Sequence, residues 1–475
     1  MTKRTKVMVL AGGAVCTATL AALAGSPAGA IAPAAVPVSI GNPVAGSNGF
    51  GVVTEGDATL GSTESEGPVA IGGDLTFGPG YNIALNDAGS YVAPGDSNPT
   101  ALIVGGRVDY AGSTQDGVLQ VLQNGYVKIG DMTGGQTLNT DDNGAAANTH
   151  IDPTGAAYDA TPRIELTTTQ PADSVASKPM DFASLFTDYR QRATTMAQCA
   201  TTVQLRDGGG SPIAPADITP GSQVRIALDS GQTNVLHLTG EQLNNIGTLI
   251  FDDQPTADTP LLIVVDTTGT ASDFTWHTPT VAGISGAQAP YILWDFPDAT
   301  DITIADGDTI EGTIFAPNAR LTDLDPANIE GDVIVKELIA GPLDPVSRQA
   351  YNAGEIHYFP FDADLECDSE SPSPTPSPTG GTGTPTPTPT PSPSESTPTP
   401  TPTPSTPVPT TPGPTTPVPT TPGPTAPQPT PTGPGLAHTG ADRVLWLLSG
   451  IAAALVGTGT ALTLRTRRTR GRHEG

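Results

Sequence analysis

The chain has 475 residues and a formal net charge of −28, with 48 acidic against 20 basic residues. Its basic residues crowd the two ends, so the stretch between them is more acidic still and ill-suited to nucleic-acid phosphates or anionic membranes. That leaves neutral glycans, basic proteins, divalent cations or solid surfaces as partners, although many of the acids need do no more than keep an exposed protein soluble.

The first predicted element is a secretory signal. Lys3, Arg4 and Lys6 precede an uncharged apolar run from Val7 to about Leu23, and Ala28 and Ala30 stand where a signal peptidase needs small residues. Residues 1–30 are expected to be removed. An N-terminal membrane anchor is the alternative, and the run is short for a span. Cys16 lies inside that run behind Ala14-Val15 and does not make a lipobox.

Residues 31–367 are expected to form one large, mainly β domain. Val69-Ala70-Ile71-Gly72-Gly73-Asp74-Leu75-Thr76-Phe77 alternates around a Gly pair, and Leu102-Ile103-Val104-Gly105-Gly106-Arg107-Val108 repeats the pattern. Ile302-Thr303-Ile304, Gly312-Thr313-Ile314-Phe315 and Gly331-Asp332-Val333-Ile334-Val335 follow later. Short period-two runs with Gly breaks indicate strands, and their recurrence as single rungs suits a β-solenoid, although a β-sandwich gives similar strings. Between the two groups, Phe182, Leu185, Phe186, Tyr189, Ala193, Met196 and Cys199 recur at three and four. This predicts an amphipathic helix from Pro179 to Ala200, lying along the flank of the sheets with Cys199 on its buried stripe.

Only Cys199 and Cys367 survive export, and two cysteines in an oxidising compartment can pair. Such a bridge would fasten the end of the domain to its middle; unpaired or intermolecular thiols are the alternative. Residues 368–435 then collapse to Pro, Thr, Ser and Gly. Alternating Pro removes amide donors and fixes φ, so a disordered stalk is expected, reaching roughly 200 Å if it is extended as polyproline II.

Residues 436–475 close the chain. Leu436-Ala437-His438-Thr439-Gly440 precedes an uncharged run over 444–464, long enough for a transmembrane helix, and then Arg465, Arg467, Arg468, Arg470 and Arg472. Motif, span and basic tail in that order resemble a Leu-Ala-x-Thr-Gly sortase sorting signal of high-GC actinobacteria. The resemblance implies cleavage between Thr439 and Gly440 by a sortase of the class E type. It also implies transfer to a peptidoglycan precursor, transient membrane insertion beforehand and a final place in a Gram-positive cell wall. A plain tail-anchored membrane protein is the alternative.

Chemistry within the domain is sparse. Asn139, Asp141 and Asn143 place oxygens at alternate positions before Gly144, as calcium loops do, but His150 stands where a bidentate Glu belongs. Calcium is therefore a candidate ligand, and no other cofactor is expected. Glu355 and His357 share a strand face as two potential metal ligands without a third. Trp294 and Phe296 alternate with Asp295 as buried strand residues do. Thr167-Thr168-Thr169 is an isolated cluster, and no threonine ladder is expected through the rungs. No nucleophile, phosphate loop or metalloprotease motif converges, so no catalytic residues are assigned and an enzyme is not expected.

The stretch Glu66-Gly67-Pro68-Val69-Ala70-Ile71-Gly72-Gly73-Asp74 resembles the family called choice-of-anchor A. Ile292-Leu293-Trp294-Asp295-Phe296-Pro297, Gly312-Thr313-Ile314-Phe315-Ala316-Pro317-Asn318-Ala319 and Gly354-Glu355-Ile356-His357-Tyr358-Phe359-Pro360-Phe361 agree with it. That resemblance implies a right-handed β-solenoid (β-helix, ice-binding-like) with one long α-helix packed along its side. It also implies an adhesin whose surface ligand is a glycan, a protein or a solid. A carbohydrate-active enzyme (lyase or hydrolase) on a β-helix and a passive wall coat are the competing readings.

Overall fold

The computed structural model describes residues 37–369. The signal segment 1–30, the stalk beyond residue 369 and the sorting signal with its 444–464 span lie outside the described residues. Among the described residues, no helix is long and apolar enough to cross a membrane.

Two passes of the chain establish the pattern. Val52–Thr54, Ala58–Leu60 and Glu64–Ser65 are short strands separated by corners, and Val69–Ile71, Leu75–Phe77 and Gly80–Ile83 repeat them. Each strand of the second set lies parallel to its counterpart, with Val52 opposite Val69, Ala58 opposite Leu75 and Glu64 opposite Asn82. Thr100–Val104 and Tyr126–Ile129 extend the stack to one edge of a 13-stranded sheet.

After the helix the chain resumes at the opposite edge with Asn234–Thr239. It returns through Leu261–Asp266, Ile292–Asp295 and Thr313–Asp323 to Val333–Ala340. Val333–Ala340 then pairs in parallel with both Val52–Thr54 and Ala58–Leu60. The first strands of this sheet therefore lie in its middle, and its last long strand closes onto them. Strands covered on both faces need continuous apolar runs, which is how Leu261-Leu262-Ile263-Val264-Val265 reads.

Backbone closeness explains the recurring glycines. Gly72, Gly105 and Gly130 stack at one corner. A Cβ on Gly105 would lie 2.4 Å from the Gly72 carbonyl oxygen, and one on Gly130 would lie 2.2 Å from that of Gly105. The Gly-Gly and Gly-Asp pairs are thus corners between strands.

The helix spans Phe182–Met196, shorter than Pro179 to Ala200. Asp181 starts it by accepting a hydrogen bond from the Ser184 amide, which leaves Pro179 outside. Phe182, Phe186, Tyr189, Ala193 and Met196 are buried in one cluster with Val53, Ala70, Ile103, Leu262, Leu293, Phe315 and Ile334, the outward residues of successive strands. Each large apolar side chain so covered contributes about 1.5–3 kcal/mol.

Cys199 is buried but lies past the helix end rather than on its stripe. Its sulfur is bonded to that of Cys367, with the two Cα atoms 5.5 Å apart across 168 residues of sequence. Cys367 sits on Leu365–Asp368, which pairs antiparallel with Pro37–Gly41, so the bridge ties both ends of the described chain to the segment after the helix.

Candidate functional site

The 13-stranded sheet has a second flank that the helix does not cover. Here the chain places Phe274-Thr275-Trp276, Ile302-Thr303-Ile304, Leu321-Thr322-Asp323, Leu338-Ile339-Ala340, Ala58-Thr59-Leu60 and Leu75-Thr76-Phe77 side by side. The flanking residues of each triplet are buried, so the central one faces outward by strand alternation. Thr275 is in register with Thr303, Thr303 with Thr322, Thr322 with Ile339, Ile339 with Thr59, and Thr59 with Thr76.

This corrects the expectation that no threonine ladder exists. Five threonines and one isoleucine form a row across six strands, repeating at the strand spacing of about 4.8 Å. None of the five hydroxyls makes a hydrogen bond to another described residue. By contrast, in the Thr167-Thr168-Thr169 cluster, Thr167 Oγ1 accepts from the Asn124 amide and Thr169 Oγ1 donates to the Ala147 carbonyl. The sequence cluster is structural, and the row it did not reveal has hydroxyls without a partner among the described residues.

A charged row borders the ladder two residues toward the strand starts. Asp273, Asp301, Arg320 and Glu337 are in register there. Arg320 Nε donates to Glu337 at 2.9 Å, and its Nη1 lies 3.5 Å from Asp301. Asp57 and Asp74 continue the row, with Arg107 Nε 3.2 Å from Asp74. Arg320 and Arg107 pair with three of the five acids, Asp301, Glu337 and Asp74, beside a threonine row that carries no charge.

On the 9-stranded sheet, His357 is surrounded by acids. Glu311, Glu330 and His357 are in register on three parallel strands. His357 Nδ1 lies 2.8 Å from Glu330 and its Nε2 lies 3.0 Å from Glu355. The Glu330 hydrogen bond, supported by Glu355 and by the charge of Glu66, pushes the imidazole up to about 9. The ring is therefore charged near neutral pH and has no lone pair for a metal, so Glu355 and His357 form an ion pair rather than a ligand pair. Glu311, deprived of water by burial, is pushed up to about 7.

The calcium candidates close a hairpin. Asp141 Oδ1 accepts from the Asn143 and Ala145 amides. Asn139 donates to the Gln170 carbonyl and accepts from Thr149 Oγ1, and His150 Nδ1 contacts the Tyr158 carbonyl oxygen at 2.8 Å. Among the described residues, no group of three or more His, Cys, Asp or Glu side chains is placed to share a metal ion. Trp294 and Phe296 are buried as expected of strand residues. Asp295 is buried too, with neither carboxylate oxygen partnered, and desolvation pushes it well above the carboxylate range. Ala28, Ala30, Leu436, Ala437, His438, Thr439 and Gly440 lie outside the described residues.

Among solved structures, the chain is similar to an ice binding protein from an Antarctic biological consortium. Identity is 12%, covering 68% of this chain and 90% of that one, with a TM-score of 0.23. It is similar also to an ice-binding protein from the Antarctic ascomycete Antarctomyces psychrotrophicus, at 12% identity over 67% and 96% of the two chains and a TM-score of 0.19. No curated protein matches it. The family model described as "Putative Ice-binding-like adhesive domain" matches residues 43–343, more than half of the chain, and the chain belongs to that family.

Proposed function

We propose that this protein is a surface adhesin whose threonine row is the binding face of a right-handed β-solenoid. The row itself carries the reading: five unspent hydroxyls, each beside its own methyl group, at regular strand spacing on a rigid sheet. Such an array matches a ligand that itself repeats on a flat surface, such as ice or a crystalline polysaccharide. The parallel three-strand passes support the solenoid, and the family's adhesive description supports the role. Weak contacts along one face, multiplied over many attached copies, hold a cell by avidity.

In this reading the signal segment exports the chain, Pro/Thr repeats hold the domain away from the cell, and a sortase joins Thr439 to peptidoglycan. The motif, apolar run and Arg tail in order support the anchoring. Two experiments test the proposal. Purified secreted chain offered ice, cellulose and chitin should be captured saturably by one of them, and capture by none would sink the adhesin reading. Thr439→Ala should move the protein from the peptidoglycan fraction to membrane or medium, and retention in peptidoglycan would refute sortase anchoring.

A further inference from the structure

Lys128 is the only buried lysine among the described residues, where Lys178 and Lys336 are both exposed. It stands on the edge strand Tyr126–Ile129, in register with Ile103. Its Nζ lies 2.5 Å from Oδ2 of Asp96, and the two side chains are 3% and 2% exposed. Nζ donates a hydrogen bond to the Ser174 carbonyl at 2.6 Å. The approach to Asp96 is of another kind, because Asp96 Oδ2 is buried without a hydrogen-bond partner.

Taking an ammonium and a carboxylate out of water costs several kcal/mol each, and an ion pair recovers that only with good geometry and further hydrogen bonds. This carboxylate oxygen receives none. Two groups held in contact and away from bulk water also have the proximity that makes an intramolecular reaction fast. Asp295 is as poorly partnered, but no lysine stands beside it.

We propose that Lys128 and Asp96 are joined by an intramolecular amide in the mature protein. One proton passes from the Nζ ammonium to Oδ2 of Asp96, 2.5 Å away, giving an amine and a carboxylic acid. Nζ then attacks Cγ, and the N–C bond forms while the C–Oδ2 bond breaks. Oδ2 leaves as water with two of the three ammonium protons, and the third stays on the amide nitrogen. Charge is zero before and after, and no oxidant, reductant or activating group is consumed. A cavity lined by Tyr91, Pro94, Asp173 and Ser174 borders the pair and gives the water a way out. The bond staples the loop ahead of Thr100–Val104 to the last strand of the sheet edge, and it does not depend on what the threonine face binds.

The test is peptide mapping of the full secreted chain, denatured and digested with trypsin. The expected product is residues 108–163, uncut after Lys128 and joined to the peptide that ends at Arg107, one water lighter than the two together. It is told from an uncut chain of the same mass by its second N-terminus at Val108. Asp96→Ala should release a free peptide ending at Lys128. In Lys128→Arg, cleavage at that position should return. A free 108–128 peptide from the unmodified chain overturns the proposal and leaves a plain ion pair. Because that readout is made on the wild-type protein, it holds even if either variant fails to fold.

Discussion

Thr303 and Thr322 stand in register on neighbouring parallel strands, and neither hydroxyl bonds to another described residue. Threonines placed for structure behave differently in this molecule. Thr149 donates to Asn139, Thr267 donates to Asp298, and Thr278 donates to the Asp308 carbonyl. A hydroxyl with a protein partner is committed, whereas one on a regular strand face is available, and here five are available in a line. The charged border of Asp301, Arg320 and Glu337 is paired within itself and so does not compete for the strip.

The corner glycines make a stability prediction. Gly105→Ala puts a methyl 2.4 Å from the Gly72 carbonyl oxygen, while Gly130 presses from the other side. Backbone cannot step aside as a side chain can, so the variant should lose roughly 1–3 kcal/mol of stability in urea unfolding. An unchanged midpoint would mean that the corners are looser than this spacing implies.

His357 predicts how stability depends on pH. Its folded-state value near 9 lies above the ordinary 6.5 because Glu330, Glu355 and Glu66 hold the proton. A raised folded value gives stability that is complete below about 6.5 and is lost as pH climbs through 9. Unfolding midpoints should therefore fall between those limits, and His357→Gln should flatten that slope while lowering stability at pH 6. Parallel profiles for wild type and variant would show that the histidine does not bridge these acids.

The disulfide should contribute mainly by restraining the unfolded chain. Closing 168 residues with Cys199–Cys367, the protein should lose about 2–4 kcal/mol in Cys199→Ala/Cys367→Ala, read from the urea midpoint. Wild type treated with reductant should approach the same value. Equal stability with and without the bond would mean that the paired end strands, Pro37–Gly41 and Leu365–Asp368, hold without it.

Much of this architecture can be read locally. Short alternating runs between Gly pairs mark strands and corners, and the three-four recurrence from Phe182 to Met196 marks the helix, whose ends needed the Asp181 cap to be placed. The threonine row could not be read that way. Its spatial order is Thr76, Thr59, Ile339, Thr322, Thr303, Thr275, which crosses from the first strands to the last where Val333–Ala340 meets Ala58–Leu60. Five of the six strands supply one threonine between buried residues and the sixth supplies Ile339, and the spacings along the chain are unequal, so no periodic search aligns them. The signal that was present is the triplet itself, a lone Thr between large apolar residues as in Phe274-Thr275-Trp276 and Ile302-Thr303-Ile304. The His357 cluster was hidden for the same reason: Glu330 and Glu66 reach it only through sheet register.

The most direct measurement is adsorption of the purified secreted chain to whichever of ice, cellulose or chitin captures it, with Thr303→Tyr and Thr322→Tyr beside wild type. Both substitutions put a bulky ring on an outward position and leave the buried triplet neighbours alone, so thermal midpoints should stay within a few degrees of wild type. Adsorption should drop at least about tenfold in each, a loss of roughly 1.4 kcal/mol or more, while Thr169→Tyr, outside the row, should bind as wild type does. Full adsorption by both ladder variants would contradict the account and move the binding surface elsewhere on the domain.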